Sequence, residues 1–231
     1  MTQNMDALAA APVDEPGWKQ RAVERSTRAA KLRAEQRVQR FLDAAQAIIT
    51  EKGTTDFTVQ EVVDRSRQSL RSFYQHFDGK HELLLALFED ALRRATVQIA
   101  AAAVGQDNPA TALKTAVQLL FELSRPDPGA RRPLFTDFAP QLLLSHPAEV
   151  RRARAPLLDL LTQLTTAAAA AGQLRAGMEP RRAAALTMET VMFVAQSSGA
   201  PGHDGTGASH GSRPVTADEI WDFCAYGIIS S

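Results

Sequence analysis

Two helix-capping signals only 11 residues apart constrain this chain more than any other feature. Thr58-Val59-Gln60-Glu61 is a capping box, a threonine at the helix N-cap answered by a glutamate three residues on. The helix it opens buries Val59, Val62 and Val63 and is expected to end near Arg65 or Ser66. Ser66-Arg67-Gln68 then reads as a turn. Ser69 caps a second short helix whose inner face is Phe73 and, one turn on, Phe77. Upstream, Val38, Phe41, Leu42, Ala45, Ile48 and Ile49 recur at helical spacing and stop at Lys52-Gly53. Three helices therefore fit within residues 37–77, the last two almost touching in sequence. That is the arrangement of a helix-turn-helix.

The rest of the chain also reads as helix. It has 40 alanines, few β-branched runs and only 6% aromatic residues, a composition that favours an all-α fold. A long helix is expected from Asp78 or Gly79 to about Val104, carrying Leu83, Leu84, Leu87, Phe88 and Ala91. Further helical segments are expected over Pro109–Ser124, Leu134–Leu144, Ala148–Ala171 and Pro180–Gln196. A last one is capped by Thr216 or Asp218. Glycines 199, 202, 205, 207 and 211 mark a flexible loop before it.

Composition excludes several function classes. Cys224 is the only cysteine, which rules out an intramolecular disulfide framework and Cys-rich zinc modules. The five histidines lack metal-ligand spacing. No Ser/His/Asp constellation or Gly-rich phosphate loop emerges, so a non-enzyme with no cofactor is expected. No apolar run approaches the roughly 20 residues that cross a bilayer, and the acidic N-terminus is unlike a signal peptide. A soluble cytoplasmic protein, with no membrane partner, is the expectation.

The formal net charge is zero, which on its face argues against a nucleic-acid partner. The sum hides a polarity. Residues 1–18 carry −3, residues 19–94 carry +4 and residues 95–231 carry −1. Between Lys19 and Arg40, eight basic residues face only Glu24 and Glu35. That stretch is either a solvated face or a basic arm for a polyanion.

The outer surface of the second short helix offers Ser69, Leu70, Arg71, Ser72, Tyr74, Gln75 and His76, mostly donors and acceptors long enough to reach base edges and phosphates. Lys80 follows at a helix start, where free N–H groups also favour a phosphate. The runs Phe57–Val63, Ser69–Phe77 and Lys80-His81-Glu82-Leu83-Leu84 resemble the DNA-binding domain of TetR-family transcriptional regulators. The resemblance covers about residues 37–95. It implies that Thr58 presents its hydroxyl and helix N-terminus to a phosphate. It implies that Tyr74 and His76 form the family's aromatic pair, and that Lys80 clamps a phosphate. Base reading falls to Leu70, Arg71, Ser72 and Gln75, with Arg71 first because its fork matches guanine O6 and N7.

Composition and charge read residues 1–34 as a disordered leader with a basic arm, longer than the family needs, and the resemblance implies a helix-turn-helix domain over 35–95 and a larger helical effector-binding and dimerisation domain over 96–231. The expected partners are a pseudo-palindromic DNA operator, a second copy of the chain and a small hydrophobic effector. The last two helices would form the dimer face, with Leu186, Val191, Phe193, Trp221, Phe223 and Ile228 supplying apolar surface. Phe121, Phe135, Phe138, Met188 and Met192 are the candidate effector-lining residues. One departure stands out. The family usually has Gly-Val in the turn where this chain has Arg67-Gln68, which leaves the exact turn geometry open and lets Arg67 add a phosphate contact. The rival reading is an all-α dimeric interaction protein whose helix-turn-helix no longer reads DNA.

Overall fold

The computed structural model describes residues 16–125, 139–197 and 215–229. These form helices α1 (Gly17–Lys52), α2 (Val59–Ser66), α3 (Leu70–Tyr74), α4 (Lys80–Ala103), α5 (Pro109–Ser124), α6 (Ala139–Ser145), α7 (Pro147–Ala170), α8 (Pro180–Ser197) and α9 (Ala217–Ile228). Among the described residues the only extended pairing is an isolated bridge between Leu174 and Ile229. The all-α expectation holds. The glycine-rich stretch around residues 199–211 lies outside the described residues, as do Phe135 and Phe138.

The chain divides into two units, Met1–Arg40 and Phe41–Ser231. In the first, α1 is already helical from Gly17, earlier than the apolar period indicates. Its residues are exposed or half-buried throughout, and the first buried side chain on the helix is Phe41. The helix runs unbroken through the boundary expected near residue 34.

In the second unit, local signals set the element ends. Gly53, at φ 65°, closes α1 and donates its N–H to Ile49. Asn108 caps α5 through Oδ1 to the Ala110 N–H, with Pro109 at the first helical position. Gly172, at φ 71°, ends α7. Thr216 and Glu219 form a second capping box at α9.

The larger helices then pack around a shared core. α5 lies against α4, α7, α8 and α9, while α7 lies against α4 and α8. Leu113, Val117, Leu120 and Phe121 of α5 are completely buried, as are Leu157 and Leu161 of α7 and Val191 of α8. Polar ties register these helices: Arg154 with Glu189, Arg181 with Asp159, and the Thr165 hydroxyl donating to the Pro180 carbonyl. The Gln173 side chain accepts from the Ala110 N–H and donates to Asn108 Oδ1, joining the α7–α8 connection to the start of α5.

The structure corrects part of the expected dimer surface. Val191, Trp221 and Ile228 are buried within this chain. Leu186, Phe193 and Phe223 point outward, and Tyr226 joins them. Hydropathy alone cannot separate these two phases of α8 and α9, because both faces are apolar. Cys224 is buried, and that burial pushes its thiol up to about 11. It should therefore react slowly with thiol reagents at pH 8 until the chain unfolds, and an equal rate in native and denatured protein would contradict this packing.

Candidate nucleic-acid interface

The site is built on the second unit's first three helical pieces. Thr58 caps α2 by accepting from the Glu61 N–H, and the Glu61 carboxylate accepts from the Thr58 N–H and hydroxyl. The Lys52 ammonium reaches the same carboxylate at 2.6 Å. That ammonium, then the Thr58 N–H, holds the Glu61 carboxyl at about 2 instead of 4.5. Arg65 grips Glu51 through both terminal nitrogens and holds that carboxyl below its usual range. Two ion pairs therefore tie both ends of α2 to the last turn of α1.

The turn forms without glycine. Arg67 adopts φ 54°, ψ 36° and is the one non-glycine residue at positive φ among those described. The Gln68 N–H donates to the Val63 carbonyl and the Arg67 N–H to the Asp64 carbonyl, the paired bonds of a Schellman ending. Ser69 then caps α3 by accepting from the Ser72 N–H. The departure at Arg67-Gln68 therefore changes the conformational cost of the turn and leaves its geometry intact.

α3 is only five residues long and is too short to be stable alone. Packing holds it. Phe73 is completely buried and meets Phe41 of α1 edge-on at 5.4 Å between ring centroids. Phe77 joins both rings, at 6.1 Å from Phe41 and 5.3 Å from Phe73. With that face fixed inward, Arg71, Gln75 and Ser69 are exposed, Leu70 is 42% exposed and Tyr74 56%. The Tyr74 ring braces edge-on against Phe73, so its hydroxyl end is carried on a rigid base.

Not every expected contact residue is equally presented. The Ser72 hydroxyl is buried, and so is His76 Nε2, each without a hydrogen-bond partner. Thr58 is exposed, but its hydroxyl already serves the capping box. Lys80 opens α4 with its ammonium 4.8 Å from the centre of the Phe57 ring, a cation–π contact. This sets a positive charge beside the segment that leads into the N-terminus of α2. The local sequence at Lys80 does not signal it, because its partner lies 23 residues earlier.

The interface therefore brings together Arg67, Ser69, Leu70, Arg71, Tyr74 and Gln75 as exposed groups, with Lys80 half-buried beside Phe57. Guanidinium, amide and phenol groups on the exposed side of a short helix are suited to base edges and phosphates in a major groove. The proposed effector residues occupy a different setting: Phe121, Met188 and Met192 are all buried, on α5 and α8, which pack together.

Residues 41–87 match the family model described as bacterial regulatory proteins, tetR family. No curated protein matches the chain at a significant level. Several solved structures share the fold. A TetR-family transcriptional regulator from Pectobacterium atrosepticum aligns with a TM-score of 0.63 at 13% identity, over 85% of this chain and 92% of that one. FadR from Bacillus subtilis, solved in complex with stearoyl-CoA, aligns at 0.61 and 15%, over 82% and 98%. SmeT, the repressor of the Stenotrophomonas maltophilia multidrug efflux pump SmeDEF, aligns at 0.59 and 20%, over 84% and 91%. At such identities the likeness concerns the fold.

Three stability outcomes follow. Phe73→Ala should cost about 3–5 kcal/mol, read by urea denaturation, because it empties the centre of the aromatic cluster. Arg67→Gly should stabilise by about 0.5–1 kcal/mol, since glycine relieves the left-handed backbone at some entropic cost. Glu61 is held below its ordinary value, so its contribution is present above about pH 4.5 and is lost as pH falls toward 2. The gap in urea midpoint between wild type and Glu61→Gln should then close between pH 6 and pH 2. A gap that stays constant would refute the ion pair.

Proposed function

We propose that the chain, whose residues 41–87 match the TetR family model, acts as a homodimeric, ligand-responsive repressor of a pseudo-palindromic operator. The observation that carries this reading is α3, held by Phe73 against Phe41 with Arg71, Tyr74 and Gln75 turned outward. In each half-site Arg71 reads a guanine, Leu70 and Gln75 contact neighbouring base edges, and Ser69 lies at the phosphate end of the helix. Tyr74, Lys80 and Arg67 bind phosphates and set the register. Thr58 contributes the α2 N-terminus. Ser72 and His76 are half-buried, each with a polar atom turned inward, and contribute less to the contact than Arg71 and Tyr74.

Two copies are needed to place two reading helices one helical turn of DNA apart, about 34–36 Å. Leu186, Phe193, Phe223 and Tyr226 are the surface proposed for that pairing, since exposed aromatic groups on neighbouring helices gain most from burial. An effector binding among Phe121, Met188 and Met192, with Phe135 and Phe138 as further candidates, would bias the spacing of the two readers. It does so only through unequal affinity for the two states. An apolar effector is in keeping with the stearoyl-CoA held by the B. subtilis neighbour.

The test is a gel shift with the DNA upstream of the chain's own gene against random competitor. Wild type should bind the upstream duplex selectively. Arg71→Ala should lose about 1–3 kcal/mol of that selectivity, roughly 5- to 150-fold. Sequence-independent or absent binding would favour the rival reading, an all-α interaction protein. Native mass spectrometry checks the pairing: wild type should be a dimer, and Phe193→Asp with Phe223→Asp a monomer. A dimer that survives both changes would place the interface elsewhere.

A further inference from the structure

The described part of the first unit is a basic helix with nothing buried on it. From Gly17 to Arg40 it is about 35 Å long at 1.5 Å per residue, and no side chain on it is buried. Its arginines are not scattered. Arg21-Ala22-Val23-Glu24-Arg25-Ser26-Thr27-Arg28 and Arg33-Ala34-Glu35-Gln36-Arg37-Val38-Gln39-Arg40 carry the same pattern, arginine at the first, fifth and eighth positions and alanine at the second. The spacing i, i+4, i+7 puts each set of three on one helix face. The second set repeats the first 12 residues on, which turns its face by about a third of a revolution. Among the described residues none of these six guanidinium groups is ion-paired, whereas Lys31 leans toward Glu35 at 3.8 Å.

Like charges one turn apart weaken an exposed helix, so this one gains from a polyanion. The two faces say which. A minor groove about 6 Å wide cannot admit a helix about 10–12 Å across, whereas a major groove about 12 Å wide can, and it flanks the helix with a phosphate ridge on each side. A membrane surface fits less well. Trp18 and Leu32 share a face, but Arg25 sits between them and Val23 lies on the opposite side, so no apolar stripe forms.

We propose that the extension of α1 is a second, sequence-independent DNA-binding element, which lies along a major groove with Arg21, Arg25 and Arg28 on the phosphates of one strand and Arg33, Arg37 and Arg40 on those of the other. This rests on the chain's being a DNA binder, yet it concerns a surface separate from the reading helix. The element adds electrostatic affinity and carries no base selectivity.

The test uses the full chain and a random-sequence duplex, with affinity measured from 50 to 400 mM salt. Changing either arginine set to glutamine should lower the slope of log K against log salt by about 2–3, and changing both by about 5. The six-fold lysine variant should keep the wild-type slope, because the phosphate contacts need charge. Selectivity for the upstream DNA over random duplex should survive the glutamine changes, whereas Arg71→Ala should lose selectivity and leave the slope nearly unchanged. Random-duplex binding that disappears with the glutamine changes, in a chain with no selectivity, would uphold the helix and refute the reader. An unchanged slope, or binding of the six arginines to phosphatidylserine vesicles with no effect on DNA, would overturn the proposal.

Discussion

The contact of Phe73 with Phe41 decides what the rest of the interface can do. A five-residue helix makes too few internal hydrogen bonds to persist, so α3 exists because one aromatic side chain anchors it. Burying Phe73 also sets the rotation of that helix. Residues 70, 71, 74 and 75 then point outward as a matter of geometry, and Tyr74 is braced against the ring that anchors it. Any side chain able to reach DNA from α3 is aimed by this one contact. Phe77 completes the cluster just before α4 begins, so α3 and the long helix α4 share one anchor.

Charge plays a secondary and local role around that anchor. The pairs Lys52–Glu61 and Arg65–Glu51 pin α2 against α1, and both use groups at least partly open to solvent. They position the helix start at Thr58 more than they add to stability. Lys80 is handled differently. Its ammonium lies over the Phe57 ring, which keeps a positive charge near the entry to α2. A chain whose charges sum to zero thus carries its positive excess in residues 19–94.

Much of this was legible from residue order, because capping is a local code. The box at Thr58–Glu61 and the cap at Ser69 placed helix starts to the residue, and for the last helix Thr216 was one of the two caps the sequence offered. The anchor was legible too, since Phe73 and Phe77 fall four residues apart in a short segment with no other large apolar side chain than Leu70 and Tyr74. Three things were not. The helical state of residues 17–40 has no apolar period behind it, and only its high helix propensity speaks for it. The outward phase of Phe193 and Phe223 could not be told from the inward phase of Val191 and Trp221, because both are hydrophobic stripes on the same helices. The state of the turn depended on whether Arg67 would accept a left-handed backbone, and two hydrogen bonds to the end of α2 settle that in favour of the ordinary geometry.

The most direct measurement of the central claim is amide hydrogen exchange on the full chain, with and without the DNA upstream of its gene. If the anchored α3 is the reading surface, exchange at residues 69–76 and at the start of α4 should slow on DNA addition, while α5 and α7 stay as they were. Protection confined to other helices, with residues 69–76 exchanging at the same rate in both states, would contradict the account.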